Sequence, residues 1–330
     1  MANPFLCPRG AFTPCVAVAG LSAVLLTGCE APLNLDAVRE QSQQTVRRTD
    51  FYQSMASNSE IVALGGNAGV LLISENHGQS WQRVELPTSD SFISLDSCPD
   101  GSFVALTFSN QLWHGNATAT QWTPHSLPSQ EQMMAATCAP DGSWWTSGSF
   151  TTIQHSADQG ASWEETSLDE DAVLTSLQFL DSNVALATGE YGLVLKTQDG
   201  GETWDHAGAL PDEFYPHATY FMSEDEGWVG GLNGFIYHTV DGGESWRRQP
   251  TDTNAPIFGF VPGDNSLFAL GDNATVLAMA NGQWQRLSTP NLPLYLRDGL
   301  VLDNRQLLVA GGRGLLLNLN LPDATVASNH

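Results

Sequence analysis

His114, His155 and His238 occupy one recurring position, just ahead of a repeated turn signal, and Lys196 fills the same place in another copy. Imidazoles that converge can hold a zinc ion. These cannot converge, because equivalent outer positions of successive repeats radiate away from one another, and no HxH or HExxH spacing accompanies them. No metal and no other cofactor is therefore expected. The turns Gly66–Gly69, Gly189–Gly192 and Gly231–Gly234 suggest a phosphate cradle, but no helix follows any of them, so they read as hairpin glycines. Cys98 and Cys138 stand 40 residues apart, in SCPDG and TCAPDG. They fall at the place held by Phe179, Phe221 and Phe260 in other repeats, which makes them small buried core residues. The alternative is a disulfide, which needs Cα atoms within about 7 Å, closer than matching positions of neighbouring units usually lie.

What has to position these residues is the repeat itself. Trp81, Trp122, Trp163, Trp204, Trp246 and Trp284 follow one another at 41, 41, 41, 42 and 38 residues. Four of them end the same octapeptide: SENHGQSW (Ser74–Trp81), SADQGASW (Ser156–Trp163), TQDGGETW (Thr197–Trp204) and TVDGGESW (Thr239–Trp246). A fixed period of this length means stacked units that cannot bury their apolar faces alone. Within each unit short β-rich runs alternate with Gly, Asp and Asn, the pattern of strands joined by tight turns. No stretch between 51 and 320 carries a helical period. Four strands per unit, repeated radially, make a β-propeller. Seven units of about 41 residues fill Asn34–Asn320, so the expected fold is all-β with seven blades.

The octapeptide has a mechanical role in this reading. Its glycine lets the chain turn sharply between the third and fourth strands. Asn76, Asp158, Asp199 and Asp241 accept hydrogen bonds from the loop backbone, and the tryptophan packs on the blade. These residues are therefore assigned to structure. Blades two and six keep Trp122 and Trp284 but lack the octapeptide, so their hairpins should differ in shape.

The motif S/T-x-D-x-G-x-T/S-W is the Asp-box, or bacterial neuraminidase repeat. Together with the Gly-x-x-Gly turn ahead of it, the pattern across 44–320 resembles the photosystem II stability/assembly factor family of seven-bladed propellers, which has members in non-photosynthetic bacteria. The resemblance implies a non-enzymatic, monomeric factor that binds a membrane protein or a subunit of a membrane complex, with an envelope transporter as one such client. The Asp-box also decorates sialidases, so a glycosidase working at the axial opening is the alternative. Sialidase resemblance would imply three clamping arginines, a tyrosine nucleophile and an aspartic acid. Blades one to four hold only Arg83, and Arg83, Arg248 and Arg286 each lie two residues after their tryptophan, on outer strands. An acid–base pair for other glycosidases needs carboxylates about 5–10 Å apart, which acidic loops of any kind could supply. The chain is read as a binding protein.

The N-terminus carries one arginine, Arg9, and the apolar run AFTPCVAVAGLSAVLLTG, the make-up of a secretory signal. Leu26-Thr27-Gly28-Cys29 is similar to the bacterial lipoprotein box, which implies cleavage after residue 28 and acylation of Cys29. The expected organisation is a signal over 1–28, a polar tether over 29–43, the propeller over 44–320 and a tail over 321–330. The lipid would anchor the propeller to the cell envelope, facing the periplasm. Blade seven lacks a tryptophan-led fourth strand, and Gln44–Phe51 is expected to supply it and seal the open edge.

Thirty-six acidic side chains against twelve basic ones give a net charge of −24 and exclude nucleic acid as a favoured partner. The blade-to-blade connections carry Asp90, Glu131, Asp169, Glu170, Asp171, Asp212, Glu213 and Asp252. They emerge opposite the Asp-box turns, so one face should be acidic. Within PDEFYPHATYF (Pro211–Phe221), Phe214, Tyr215 and His217 beside Asp212 and Glu213 are the expected partner contacts, since aromatics with polar neighbours mark interface hot spots. Arg47, Arg48, Arg297 and Arg313, grouped near the ring closure, form an alternative basic contact sector. If Cys29 is the lipid site, Cys29→Ser should leave the membrane fraction or remain unprocessed. Acyl label on the mutant would overturn the assignment.

Overall fold

The computed structural model describes residues 34–263, 266–303 and 305–321. The signal segment, Cys29 and the tail from 322 onward lie outside the described residues. The chain divides into a unit ending at Gln43 and a unit beginning at Gln44. The described part of the first contains one helix, Asp36–Ser42, with no buried residue. Arg39 lies 3.9 Å from Asp36 on its surface, an exposed pair of little energetic weight.

Seven antiparallel sheets make up the second unit, each with its strands in chain order. Their inner strands are Tyr52–Ser57, Phe92–Ser97, Met133–Cys138, Leu174–Phe179, Ala218–Phe221, Ile257–Gly263 and Leu296–Asp303. Each packs on the next, and the last packs on the first. The chain is an all-β, seven-bladed propeller. Second strands such as Val62–Gly66, Phe103–Thr107 and Ala185–Gly189 are buried throughout, which is why they read as unbroken apolar or small runs. Fourth strands such as Gln82–Glu85 and Glu164–Thr166 face solvent and read as polar. The core lies between sheets: Trp145, Leu177, Ala187, Leu195 and Trp204 form one such layer.

Antiparallel order sorts the connections between two faces. The Asp-box hairpins, between third and fourth strands, share one face with the turns from first to second strands. The turns from second to third strands share the other face with the blade-to-blade connections. On this second face each turn grips the neighbouring connection. The Gly69 N–H donates to the Asp90 carbonyl (2.6 Å), Thr151 to Ala172 (2.9 Å) and Ala274 to Leu294 (2.7 Å). A Cβ on Gly311 would lie 1.8 Å from the Tyr295 carbonyl oxygen, so close an approach that only glycine fits.

The expected closing strand at Gln44–Phe51 does not form. Among the described residues the seventh sheet has three strands, ending with Leu316–Asn320, and 44–51 is turn and coil. The segment takes the place of a connection instead: Gly314 N–H donates to the Asp50 carbonyl (2.7 Å), as Gly69 does to Asp90. The physical reason is that its polar groups are used locally. The Asp50 carboxylate accepts from Arg47 N–H (2.8 Å), the Tyr52 hydroxyl (3.1 Å) and two Arg83 nitrogens (2.9 and 3.1 Å). Arg83 donates further to the Thr45 carbonyl at 3.0 Å. The ring closes through inner strands: Asp298 of blade seven accepts from Met55 N–H (2.7 Å) and the Ser54 hydroxyl (3.3 Å) of blade one.

Cys98 and Cys138 are bonded to each other, with Cα atoms 5.1 Å apart, which corrects their reading as free core residues. They are not at matching positions. Cys138 pairs with Trp144, whereas Phe103, the counterpart of Trp144, pairs with Ser97. Cys98 lies one residue further along, and this offset brings it within reach of the next blade. The bridge staples blades two and three.

Asp50 and Arg83 are 1% and 11% exposed in their side chains, and removing one partner of such a pair leaves a buried charge. Asp50→Ala should destabilise the protein by about 3–5 kcal/mol in urea unfolding. A loss under about 1 kcal/mol would mean that the 44–51 segment does not secure the closure.

Candidate functional site at the axial mouth

The start of each inner strand carries one residue out of register. Six are β-bulges in the pairing with the second strand: Gln53, Ile93, Met134, Thr175, Phe258 and Arg297. In blade five His217 holds this place, donating its N–H to the Gly230 carbonyl at 2.9 Å. A bulge twists the strand and re-aims a side chain. Here the six bulge residues line a cavity of about 250 Å³ on the propeller axis, to which all seven blades contribute. It opens on the face of the blade-to-blade connections. Its size admits a side chain or a chain end and falls below the usual small-molecule pocket.

The cavity lining holds one cation, Arg297, and one carboxylate, Asp298, with no ion pair between them. Arg297 lines it, and among the described residues its guanidinium makes no ion pair or side-chain hydrogen bond. It stands 5.9 Å from the centroid of the Phe258 ring, and burial presses it below the usual guanidinium range. His217 meets Phe258 edge to face at 5.9 Å and Tyr215 at 5.2 Å. Its Nε2 is buried with no hydrogen-bond partner, and burial, then Arg297, pushes its pKa down. Tyr295, raised by burial, accepts from Gln53 Nε2 at 3.1 Å and donates to the Tyr52 carbonyl at 3.4 Å. The mouth is thus an unpaired cation framed by three aromatic rings and a neutral-leaning imidazole. It suits a carboxylate, because buried polar groups left unpaired are costly until a ligand satisfies them.

Asp298, next to Arg297, is the one carboxylate in the lining. Its oxygens are already taken by Met55 N–H, Gly299 N–H (2.8 Å) and Ser54. A glycosidase pair needs two free carboxylates across the scissile bond, and the lining residues do not provide it.

The expected partner residues separate in space. Phe214 turns inward, edge-on against Tyr237 at 4.9 Å and over Gly231. Tyr215 is exposed and His217 lines the mouth. Asp212 and Glu213 are exposed on a turn with positive φ of 57° and 52°. Of the basic sector, Arg297 sits in the cavity, Arg48 and Arg313 are exposed, and Arg47 lies 3.6 Å from Glu85. The Asp-box residues are on the opposite face. Asp158 and Asp199 each accept from the hydroxyl and N–H four residues later, Ser162 (2.6 and 2.8 Å) and Thr203 (2.6 and 2.9 Å). These bonds hold both carboxyls down to about 2. Asp241 accepts likewise from the Ser245 N–H and hydroxyl, whereas Asn76 accepts from the Ser80 N–H and donates its amide to the Ser80 hydroxyl. Trp81, Trp163 and Trp246 are half-buried while Trp204 is buried. The bulge residues had no signature in the sequence beyond recurring one blade apart at the head of each inner strand.

Fold and site together define an Asp-box propeller with a narrow axial mouth. Residues 155–283 match the family model described as Photosynthesis system II assembly factor YCF48. Among solved structures, YCF48 bound to D1 peptide is 18% identical with a TM-score of 0.67, covering 83% of this chain and 93% of that one. YCF48 from Cyanidioschyzon merolae is 13% identical with a TM-score of 0.68, covering 82% and 96%. Virginiamycin B lyase from Staphylococcus aureus is 15% identical with a TM-score of 0.71, covering 86% and 97%. At these identities the likeness is one of fold. No curated protein matches the sequence.

Asp298 carries a pH signature. Burial pushes its carboxyl up to about 6, whereas an unfolded aspartate titrates near ~4. Between those values the folded chain holds a proton that the unfolded chain has released, so stability falls as pH rises through the window and levels off above it. The span is on the order of 2–3 kcal/mol. Asp298→Asn should flatten the dependence of the melting temperature on pH between about 4 and 6. Asp96, also raised by burial, would supply whatever slope remains. An unchanged profile would show that Asp298 does not titrate there.

Proposed function

We propose that the protein is an assembly factor that binds a segment of a membrane-complex subunit across the axial mouth. A carboxylate of that segment, from a side chain or the chain end, would pair with Arg297. The observation that carries this reading is the Arg297 guanidinium, free of any ion pair or side-chain hydrogen bond, in an aromatic-framed cavity sized for a side chain. The YCF48 relative that binds a D1 peptide supports a peptide as the ligand class. A propeller suits the role because its rigid frame holds the mouth open without a conformational cost on binding.

Lipidation of Cys29 would place this mouth at the periplasmic surface of a bacterial membrane, where nascent subunits of such complexes are exposed. The Cys98–Cys138 disulfide supports an oxidising compartment. The anchor also offsets a net charge of −24 that repels anionic lipid.

A photo-crosslinking amino acid placed at Gln53, on the rim of the cavity, should capture a membrane-protein subunit in native membranes. Arg297→Met, which keeps most of the side-chain volume, should cut the yield at least about tenfold at unchanged fold, as expected for loss of a desolvated charge pair. Equal yield from Arg297→Met, or capture of no membrane protein, would overturn the proposal.

A further inference from the structure

The turns between second and third strands in blades two to five end in bulky apolar side chains. Phe108 is 57% exposed, Phe150 48%, Tyr191 62% and Leu232 51%. In blades one, six and seven the same turns present Ala68, Asn273 and Arg313. All four apolar tips stand on the face of the axial mouth, and Tyr215, 39% exposed, lies on that face too.

Two of the tips are held in a backbone conformation that their residue type disfavours. Phe150 has φ 53° and Tyr191 φ 57°, the left-handed region where bulky side chains are outliers. Asn233 and Asn273 adopt the same conformation in their blades at φ 59° and 56°, and asparagine tolerates it. Nothing in the turn needs the aromatic ring. The Phe150 turn is fixed by main-chain and hydroxyl groups, with Thr151 and Ser167 hydroxyls donating to the Phe150 carbonyl at 2.7 and 2.6 Å. The rings are strained and unburied, and a partner that covers them would offset both costs.

Charge specifies the partner. The turns and connections on this side of blades two to five contain Asp90, Glu131, Asp169, Glu170, Asp171, Glu190, Asp212, Glu213 and Asp252, and no lysine or arginine. Asp90 is engaged by the Ser109 N–H and Glu170 by His206, but Asp169, Asp171, Asp212, Glu213 and Asp252 are exposed. An anionic lipid surface is repelled by such a rim, and a second copy of this chain, of the same charge, is repelled as well. We infer that the arc of Phe108, Phe150, Tyr191 and Leu232 docks a protein segment that intersperses bulky apolar side chains with lysine or arginine. The rings supply the desolvated contacts and the acidic rim supplies orientation and rejection of acidic segments. This rests on the reading of the mouth face as the binding face and adds the chemistry of the partner's flanking residues.

The test uses the full-length protein with Phe150→Asn and Tyr191→Asn combined. Because asparagine suits the turn, the variant should melt no lower than the parent, which separates contact from folding. The probe is a fluorescent peptide of about a dozen residues alternating leucine and phenylalanine with lysine, read by anisotropy. The parent should bind it in a salt-sensitive manner, the variant at least about tenfold more weakly, and a peptide with glutamate in place of lysine should not bind. Equal binding by parent and variant, or preference for the glutamate peptide, would overturn the inference. So would co-sedimentation of the parent, but not the variant, with phosphatidylcholine vesicles, or a parent dimer that the variant lacks. The Gln53 crosslink keeps the two proposals apart. If it still captures a membrane subunit while the peptide arm fails, the mouth reading stands and the partner chemistry falls. Peptide binding with no capture at Gln53 is the reverse case.

Discussion

A propeller is a set of sheets that each leave one apolar face for the next to cover, so its stability hangs on the place where the last sheet meets the first. In this chain that place is a buried carboxylate. Asp298 reaches from the seventh inner strand to the Met55 N–H and Ser54 hydroxyl of the first, and Tyr295 adds its hydroxyl bonds to Gln53 and the Tyr52 carbonyl. Asp96 makes a similar link from blade two to blade three, accepting from the Thr137 hydroxyl and the Cys138 N–H. Other inner strands meet through neutral groups: Ser54 with Leu95, Ser94 with Ala136, Gln178 with Phe221. A charged group at the seam gives the closure a stronger hydrogen bond than these. Its cost is desolvation, which raises the Asp298 carboxyl.

The same seam explains why the mouth is charged. Arg297 is the bulge residue that precedes Asp298, and the bulge turns it to the axis while Asp298 turns to the neighbouring strand. Asp298 attracts the guanidinium without forming an ion pair with it, because one of its oxygens is committed to blade one and the other to the Gly299 N–H. Closure and recognition are therefore coupled in two adjacent residues of one strand. The segment 44–51 completes the arrangement from outside, where Arg83 and Asp50 tie the start of the propeller to its own first blade.

The two faces divide the labour. Asp-box hairpins are structural: each carboxylate binds groups four residues on, and each tryptophan packs between its own blade and the one before it. Such turns belong to the frame and imply no activity by themselves, since function resides in the site. The opposite face carries what differs among blades. Its turns bear bulky apolar tips in blades two to five and Ala68, Asn273 or Arg313 elsewhere.

Local and repeated features were legible in the sequence. The tryptophan period, the octapeptide turns and the polar fourth strands all follow from contacts within about 41 residues, and their recurrence made seven blades countable. The acidic connections were legible as well, since antiparallel order alone sorts loops between two faces. What the tertiary structure decided is where units meet. Cys98 and Cys138 are bonded because a one-residue offset brings non-equivalent positions of two blades together. Gln44–Phe51 resembles a missing strand by its spacing, but Asp50, Arg83 and Gly314, distant in sequence, bind it as a connection. Phe214 and Tyr215 are adjacent and similar, yet one packs on Tyr237 and the other faces solvent. Arg297 and Asp298 read as two ordinary charges, and only the bulge and the closed ring send one to the axis and the other into the seam. In most of these cases the deciding contact joins residues in different blades, and a sequence specifies such contacts only through the closed ring that brings the blades together.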